Sequence, residues 1–254
     1  MIDTHSHLYE DEFKDDRAEA VERLLVAGVH KVLLPNIDVE SWPKMVALED
    51  SNPQLFSSMI GLHPTSVTEH YKEDLATLKA TIGRRKYVAV GEIGLDYYWD
   101  RTFYTEQQDA FREQVGWAVD LGLPVALHVR KAMDETIAVL KQFDKSKLRG
   151  VFHSFSGTIE MSREIARLGD FYYGINGVVT FKNAGIAEVV KELPLDRLLL
   201  ETDCPYLTPV PFRGKRNETS YVVYVAQKIA EVKGISVEEV EEATTRNAER
   251  VFGV

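Results

Sequence analysis

YVAVGEIGLDYYWDRTFYTEQQDAFREQVGWAVDLGLPVALH, residues 87–128, carries the pattern that recurs along the chain. Its first run, Tyr87–Glu92, is short, apolar and β-branched, and predicts a strand that ends on a carboxylate. Thr105–Leu121 predicts a helix, because Phe111, Val115, Ala118 and Val119 recur every three to four residues. Pro124–His128 predicts another strand, this one ending on an imidazole. Strand, amphipathic helix and strand in that order form the repeating unit of a parallel sheet.

Similar runs stand at Met1–Thr4, Lys31–Asn36, Phe56–Gly61, Gly150–His153, Phe171–Ile175 and Arg197–Glu201, which makes eight predicted strands with helical stretches between them. Ser236 and Glu239 form a capping box that opens a last helix through Val240, Ala243 and Val251. Eight such units in 254 residues predict a single domain over residues 1–254, an α/β (β/α)8 TIM barrel. An open doubly wound sheet is the alternative. A barrel gathers its chemistry at the C-terminal ends of several strands at once, and the polar residues fall there.

Apolar residues make up 44% of the chain and charged residues 28%, the balance of a globular protein with a full core. No run reaches the 18 or so apolar residues of a membrane helix. The chain opens MIDTHSH, with chemistry from the third residue, so no cleaved leader is expected. Cys204 is the one cysteine, which excludes an internal disulfide and predicts a cytoplasmic setting. A net charge of −10 argues against a general nucleic-acid coat but leaves room for a local phosphate site. No obligate protein partner is evident.

His5 and His7 stand two apart at the start of a strand, a spacing that aims both imidazoles to one side. His128 ends PVAL, His153 ends GVF, Glu92 ends VAVG and Asp203 follows RLLLET. An ionised carboxylate emerging from an apolar strand needs a cation or donors to meet it. Four histidines and two carboxylates exceed the needs of one tetrahedral ion and suit two divalent ions with open positions for water and substrate. Glu92, midway around the ring, is the expected bridge. His5, His7 and Asp203 then hold one ion, and His128 and His153 the other. Asp203, on the last strand beside the first, is also placed to accept a proton from the attacking water. Imidazoles favour zinc, nickel or iron, whereas manganese or magnesium accept carboxylate and water. His30 and His70 read as surface residues.

At these residues the sequence resembles the TatD family of metal-dependent deoxyribonucleases, within the amidohydrolase-like barrels. The matching stretches are DTHSHL at 3–8, GLHP at 61–64, GEIGLDYYW at 91–99, HVR at 128–130, HSFSG at 153–157 and ETDCPYLTPVPFRGKRNE at 201–218. Thr219 departs from the pattern where proline is expected, which predicts an altered loop that touches no ligand. The resemblance implies hydrolysis of phosphodiester bonds in DNA by two divalent ions. His5, His7, Glu92 and Asp203 correspond to one metal site, and Glu92, His128 and His153 to the other.

His63, ending the third strand, and Arg130, two residues past His128, are candidate substrate contacts to phosphate. Arg213, Lys215 and Arg216 form a basic cluster after the eighth strand and are expected to guide DNA toward the site. Tyr97, Tyr98 and Trp99 could stack on bases, but packing beneath a loop is the expected fate. Asp3 is expected to orient the histidine pair, and Cys204 to be a small buried residue. Exonucleolytic cleavage of DNA is the leading expectation. The alternatives are an ester or amide hydrolase, such as a D-aminoacyl-tRNA deacylase, and a non-catalytic metal-binding scaffold.

Overall fold

The computed structural model describes residues 1–254. Its first half runs β1 (Ile2–Asp3), α1 (Arg17–Val26), β2 (Lys31–Leu34), α2 (Trp42–Ser51), β3 (Phe56–Ser58), α3 (Tyr71–Lys79), β4 (Val90–Asp96) and α4 (Tyr104–Leu121). The second half runs β5 (Val125–Arg130), α5 (Met133–Leu140), β6 (Arg149–Phe152), α6 (Ile159–Ile165), β7 (Asp170–Ile175), α7 (Ile186–Glu192), β8 (Leu198–Leu200), α8 (Val222–Lys233) and α9 (Val237–Phe252). All paired strands are parallel, as the helical crossovers between them allow.

The ring closes at two seams. Ile60 bridges Val90 between the third and fourth strands, and Ser6 bridges Cys204 between the eighth and the first. The second seam is tied by Thr4 N–H donating to Leu200 O and Asp203 N–H donating to His5 O. It sets the first histidine directly beside Asp203, which an open sheet could not do. The protein is therefore a closed (β/α)8 barrel, and the doubly wound alternative falls.

The barrel interior is packed, with Ile2, Leu33, Met59, Ala89, Ala126, Val151, Tyr172 and Leu199 as one layer, one residue from each strand or its edge. Ala248, Val251 and Phe252 of α9 plug that layer from below. The helix starts at the predicted capping box, Ser236 Oγ accepting from Glu239 N–H at 3.1 Å while the Glu239 carboxylate takes Ser236 N–H at 2.9 Å. With the bottom filled, the open end of the barrel is the C-terminal rim. No helix is long and apolar enough to cross a membrane.

β4 departs most from its expected bounds. Strict alternation from Ala89 would turn Gly91 inward and Glu92 outward. The register with β5 instead shifts between Val90 and Ile93, and this irregularity re-aims Glu92 into the barrel while Ile93 joins the outer core. The strand then continues to Asp96, so that Glu92 and Asp96 share one face. Gly94 between them has φ +141, and a Cβ there would lie 2.0 Å from the His128 carbonyl oxygen. Only glycine fits that approach.

Candidate metal centre

Glu92 is buried at the middle of the rim, and five imidazoles surround it. His5 Nε2 lies 3.0 Å and His7 Nε2 3.7 Å from its Oε2. His128 Nδ1 lies 2.9 Å, His63 Nε2 3.4 Å and His153 Nε2 3.8 Å from its Oε1. The two carboxylate oxygens thus divide the histidines into two sets. Asp203 joins from β8, its Oδ1 standing 3.8 Å from His5 Nε2, 3.6 Å from His7 Nε2 and 3.7 Å from His153 Nε2. All six expected ligands meet in one place. The groups within mutual coordination reach are His5, His7 and Asp203; His5, Glu92 and His153; and His63, Glu92 and His128. His128 and His153 meet through Glu92 rather than directly, and His63 stands nearer the ligands than expected of a substrate contact.

These spacings fit a cation. Several exceed hydrogen-bond length, whereas two donors each about 2 Å from one ion stand roughly 3–3.5 Å apart. The tautomer of His7 fits too. Tyr9 OH donates its proton to Pro35 O at 2.6 Å, so His7 Nδ1, 2.9 Å away, must donate to Tyr9. Neutral His7 is left with a lone pair on Nε2, the nitrogen that faces Glu92 and Asp203.

The electrostatics make the same demand. Burial opposes ionisation of Glu92, but the charges of His5, His63 and His153 outweigh it and hold the carboxyl well below its usual range. Burial also works against the charge of His128 and His153. Asp96 and Glu92 nevertheless lift His128 to about 9, and Glu201, Glu92 and Asp203 lift His153 to about 10. Buried carboxylates here require positive charge among them, which protons or metal can supply.

Two further carboxylates stand beside the candidate ligands. Asp96 Oδ2 holds His128 Nε2 at 2.8 Å. Glu201, fully buried, lies 3.1 Å from His153 Nδ1 through Oε1, which also accepts Ser154 N–H at 2.7 Å. Its Oε2 has no partner in the protein. Gly174 makes room for it, since a Cβ there would fall 2.1 Å from that oxygen. Neither acid stood out in the sequence. The signal was a second carboxylate two residues before Asp203, and the like spacing of Asp96 beyond Gly94.

Asp3 acts through backbone, accepting from His5 N–H at 3.2 Å and from Thr202 N–H at 3.0 Å. Burial pushes its carboxyl up to about 7. Cys204 is buried and unpaired. Thr219 touches no ligand, but its hydroxyl lies 3.0 Å from Ser6 Oγ, between the two histidines of the pair. It braces the histidine strand from behind. Four non-glycine residues have left-handed backbone, Lys131, Ser154, Asp203 and Leu207, and each follows a strand at this rim. Such strain concentrates where function constrains the chain.

The cleft above Glu92 encloses about 710 Å³ and is lined by His63, Trp99, Arg130, Ser154 and Tyr206 among others. Arg213, Lys215 and Arg216 do not line it. Arg213 lies 4.1 Å above the Phe181 ring and Lys215 5.7 Å from that of Phe212. Arg216 is committed elsewhere, with Asp16 at 2.7 Å through both nitrogens, Glu218 at 3.0 Å and the Phe13 ring beneath it. Of the expected phosphate guide, Arg216 is therefore held by Asp16, remote in sequence, whereas Arg213 and Lys215 are exposed and engage no carboxylate. Removing Arg216 with Ala should lower stability by about 1–2 kcal/mol and the melting temperature by a few degrees. The salt dependence of the Michaelis constant should not change. Thermal melts and kinetics across a salt series check both; a flattened salt dependence would restore the guiding role.

The family model described as TatD related DNase matches residues 2–253. The uncharacterized metal-dependent hydrolase YabD of Bacillus subtilis (strain 168) is 40% identical over 255 residues, which cover 100% of this chain and 99% of YabD. The 3'-5' ssDNA/RNA exonuclease TatD of Cronobacter sakazakii is 34% identical over 260 residues, covering 99% of this chain and 97% of the relative. The crystal structure of YjjV, a TatD homologue from Escherichia coli K12, matches with a TM-score of 0.93 at 32% identity, covering 100% of this chain and 98% of YjjV.

Proposed function

The chain belongs to the TatD-related DNase family of metal-dependent hydrolases, and on that premise we propose that it hydrolyses phosphodiester bonds in DNA exonucleolytically, with two divalent ions shared across Glu92. One observation carries the reading. Glu92 turns Oε2 to His5 and His7 and Oε1 to His128, His63 and His153, a division that supports a bridging carboxylate. The exonuclease name of the Cronobacter sakazakii relative supports the choice of substrate.

Ions held by these residues would supply Lewis-acid stabilisation of charge on the phosphoryl oxygens and would lower the pKa of the attacking water. The chain's own residues do the rest. His7 presents Nε2 because Tyr9 fixes its tautomer, and Asp96 holds the His128 ring. Burial resists ionisation of Asp203, but the neighbouring His153, His7 and His5 keep its carboxyl low and therefore ionised near neutral pH. We assign it the proton of the attacking water, received at a carboxylate oxygen. Arg130 at the mouth of the cleft serves as a phosphate contact. His63, which reaches both Glu92 and His128, is the second. A reducing cytoplasm suits a chain whose one cysteine is buried and unpaired.

End-labelled single- and double-stranded oligonucleotides, incubated with and without zinc, manganese or magnesium, test the proposal against a matched aminoacyl-tRNA substrate. The expected result is stepwise shortening that stops on chelation and returns when metal is restored. Deacylation of the tRNA with no shortening of any oligonucleotide would overturn it.

A further inference from the structure

The residues after β4 build a feature the hydrolytic chemistry does not use. Tyr97 packs as expected, 5% exposed and stacked on Tyr104 with centroids 4.3 Å apart. Tyr98 and Trp99 do not. They are 52% and 70% exposed, the two rings meeting edge to face at 5.0 Å. Large aromatic surface left in water at the mouth of a site is a mark of ligand contact, since burying it is strongly favourable.

The loop that presents these rings is held from both ends. Asp96 Oδ1 accepts Tyr98 N–H at 2.9 Å and Trp99 N–H at 3.3 Å, while Oδ2 of the same carboxylate holds His128. Arg130 stands on the same strand face as His128, two residues on. Its guanidinium lies 4.0 Å from the Tyr98 ring and 5.1 Å from the Trp99 ring, and it engages no carboxylate. Trp99 and Arg130 both line the cleft above Glu92. One carboxylate thus sets the distance between a candidate metal ligand and an exposed indole, with an unpaired cation between them.

We infer that Trp99 is a stacking platform for an unpaired nucleobase of the substrate, with Arg130 holding the indole and reaching the adjoining phosphate. The inference rests on the nuclease reading and narrows it to single-stranded ends, because a base within a duplex cannot present its face to the indole. Stacking suits such a site because every base offers a π-face, so the platform selects unpaired nucleotides without selecting sequence. An ester or amide substrate without a base would have no use for it.

Trp99 is the most exposed of the three tryptophans, Trp117 being buried and Trp42 partly so. Titrating the metal-loaded protein with a cleavage-resistant phosphorothioate oligothymidine should therefore quench indole fluorescence. Trp99→Phe should remove the quench. In kinetics, the wild type should prefer an oligonucleotide with an intact terminal nucleoside over one ending in an abasic residue by about 5- to 150-fold in kcat/KM. Trp99→Ala should abolish that preference, and Trp99→Phe should retain most of it. An unquenched wild type, or an unchanged preference in Trp99→Ala, would overturn the platform. So would a dimer by light scattering that buries Trp99. Absence of all phosphodiester hydrolysis by the wild type would instead sink the nuclease reading, and the quench would still decide the platform.

Discussion

Glu92→Ala is expected to lose both ions and to lower turnover by on the order of 1,000-fold or more, which is about 4 kcal/mol of transition-state stabilisation. The cause is its position. Five imidazoles, His5, His7, His63, His128 and His153, stand within 4 Å of one carboxylate. Without it the histidines face one another and repel any shared charge. Glu92→Gln serves as the companion variant, since it keeps the volume and one neutral oxygen but removes the charge. Metal content per chain is the measurement, with circular dichroism to confirm that the barrel is intact. Two ions retained in folded Glu92→Ala would contradict the bridging role.

Asp203→Asn is expected to cut turnover by on the order of 100-fold or more while nucleic acid still binds. The backbone favours a clean comparison: Asp203 has φ 59, a left-handed conformation that asparagine also adopts readily. The substitution therefore removes charge without forcing the chain to move. Single-turnover rates alongside binding titrations separate the two effects. Normal turnover would mean that another group takes the proton. His63 would be examined first, since its Nε2 faces Glu92 at 3.4 Å in the same cleft.

Where the sequence sufficed and where it failed follow from the range of the interactions. The eight strands, α4 and the capping box of α9 are local patterns, and they stand within a few residues of expectation. The candidate ligands were visible because each polar group ends an apolar run. The extension of β4 was not, because a shift in register with β5 decides it and that partner lies 35 residues away. For the same reason Asp96 was missed, and with it the anchoring of Trp99. Arg216 misled because its partner Asp16 is 200 residues distant, so a structural ion pair looked like a free cation. Trp99 misled in the opposite sense. Aromatic residues in loops usually pack, and Tyr97 does, but the fixed turn at Asp96 leaves Trp99 outside.

The claim on which the rest depends is that one carboxylate joins two metal sites. Anomalous diffraction from crystals of the wild type grown with zinc or manganese tests it directly. Two peaks are predicted, one within coordination reach of His5, His7 and Asp203 and one of His128 and His153, with a different Glu92 oxygen turned to each. A single ion, or a pair whose members do not share Glu92, would contradict the account.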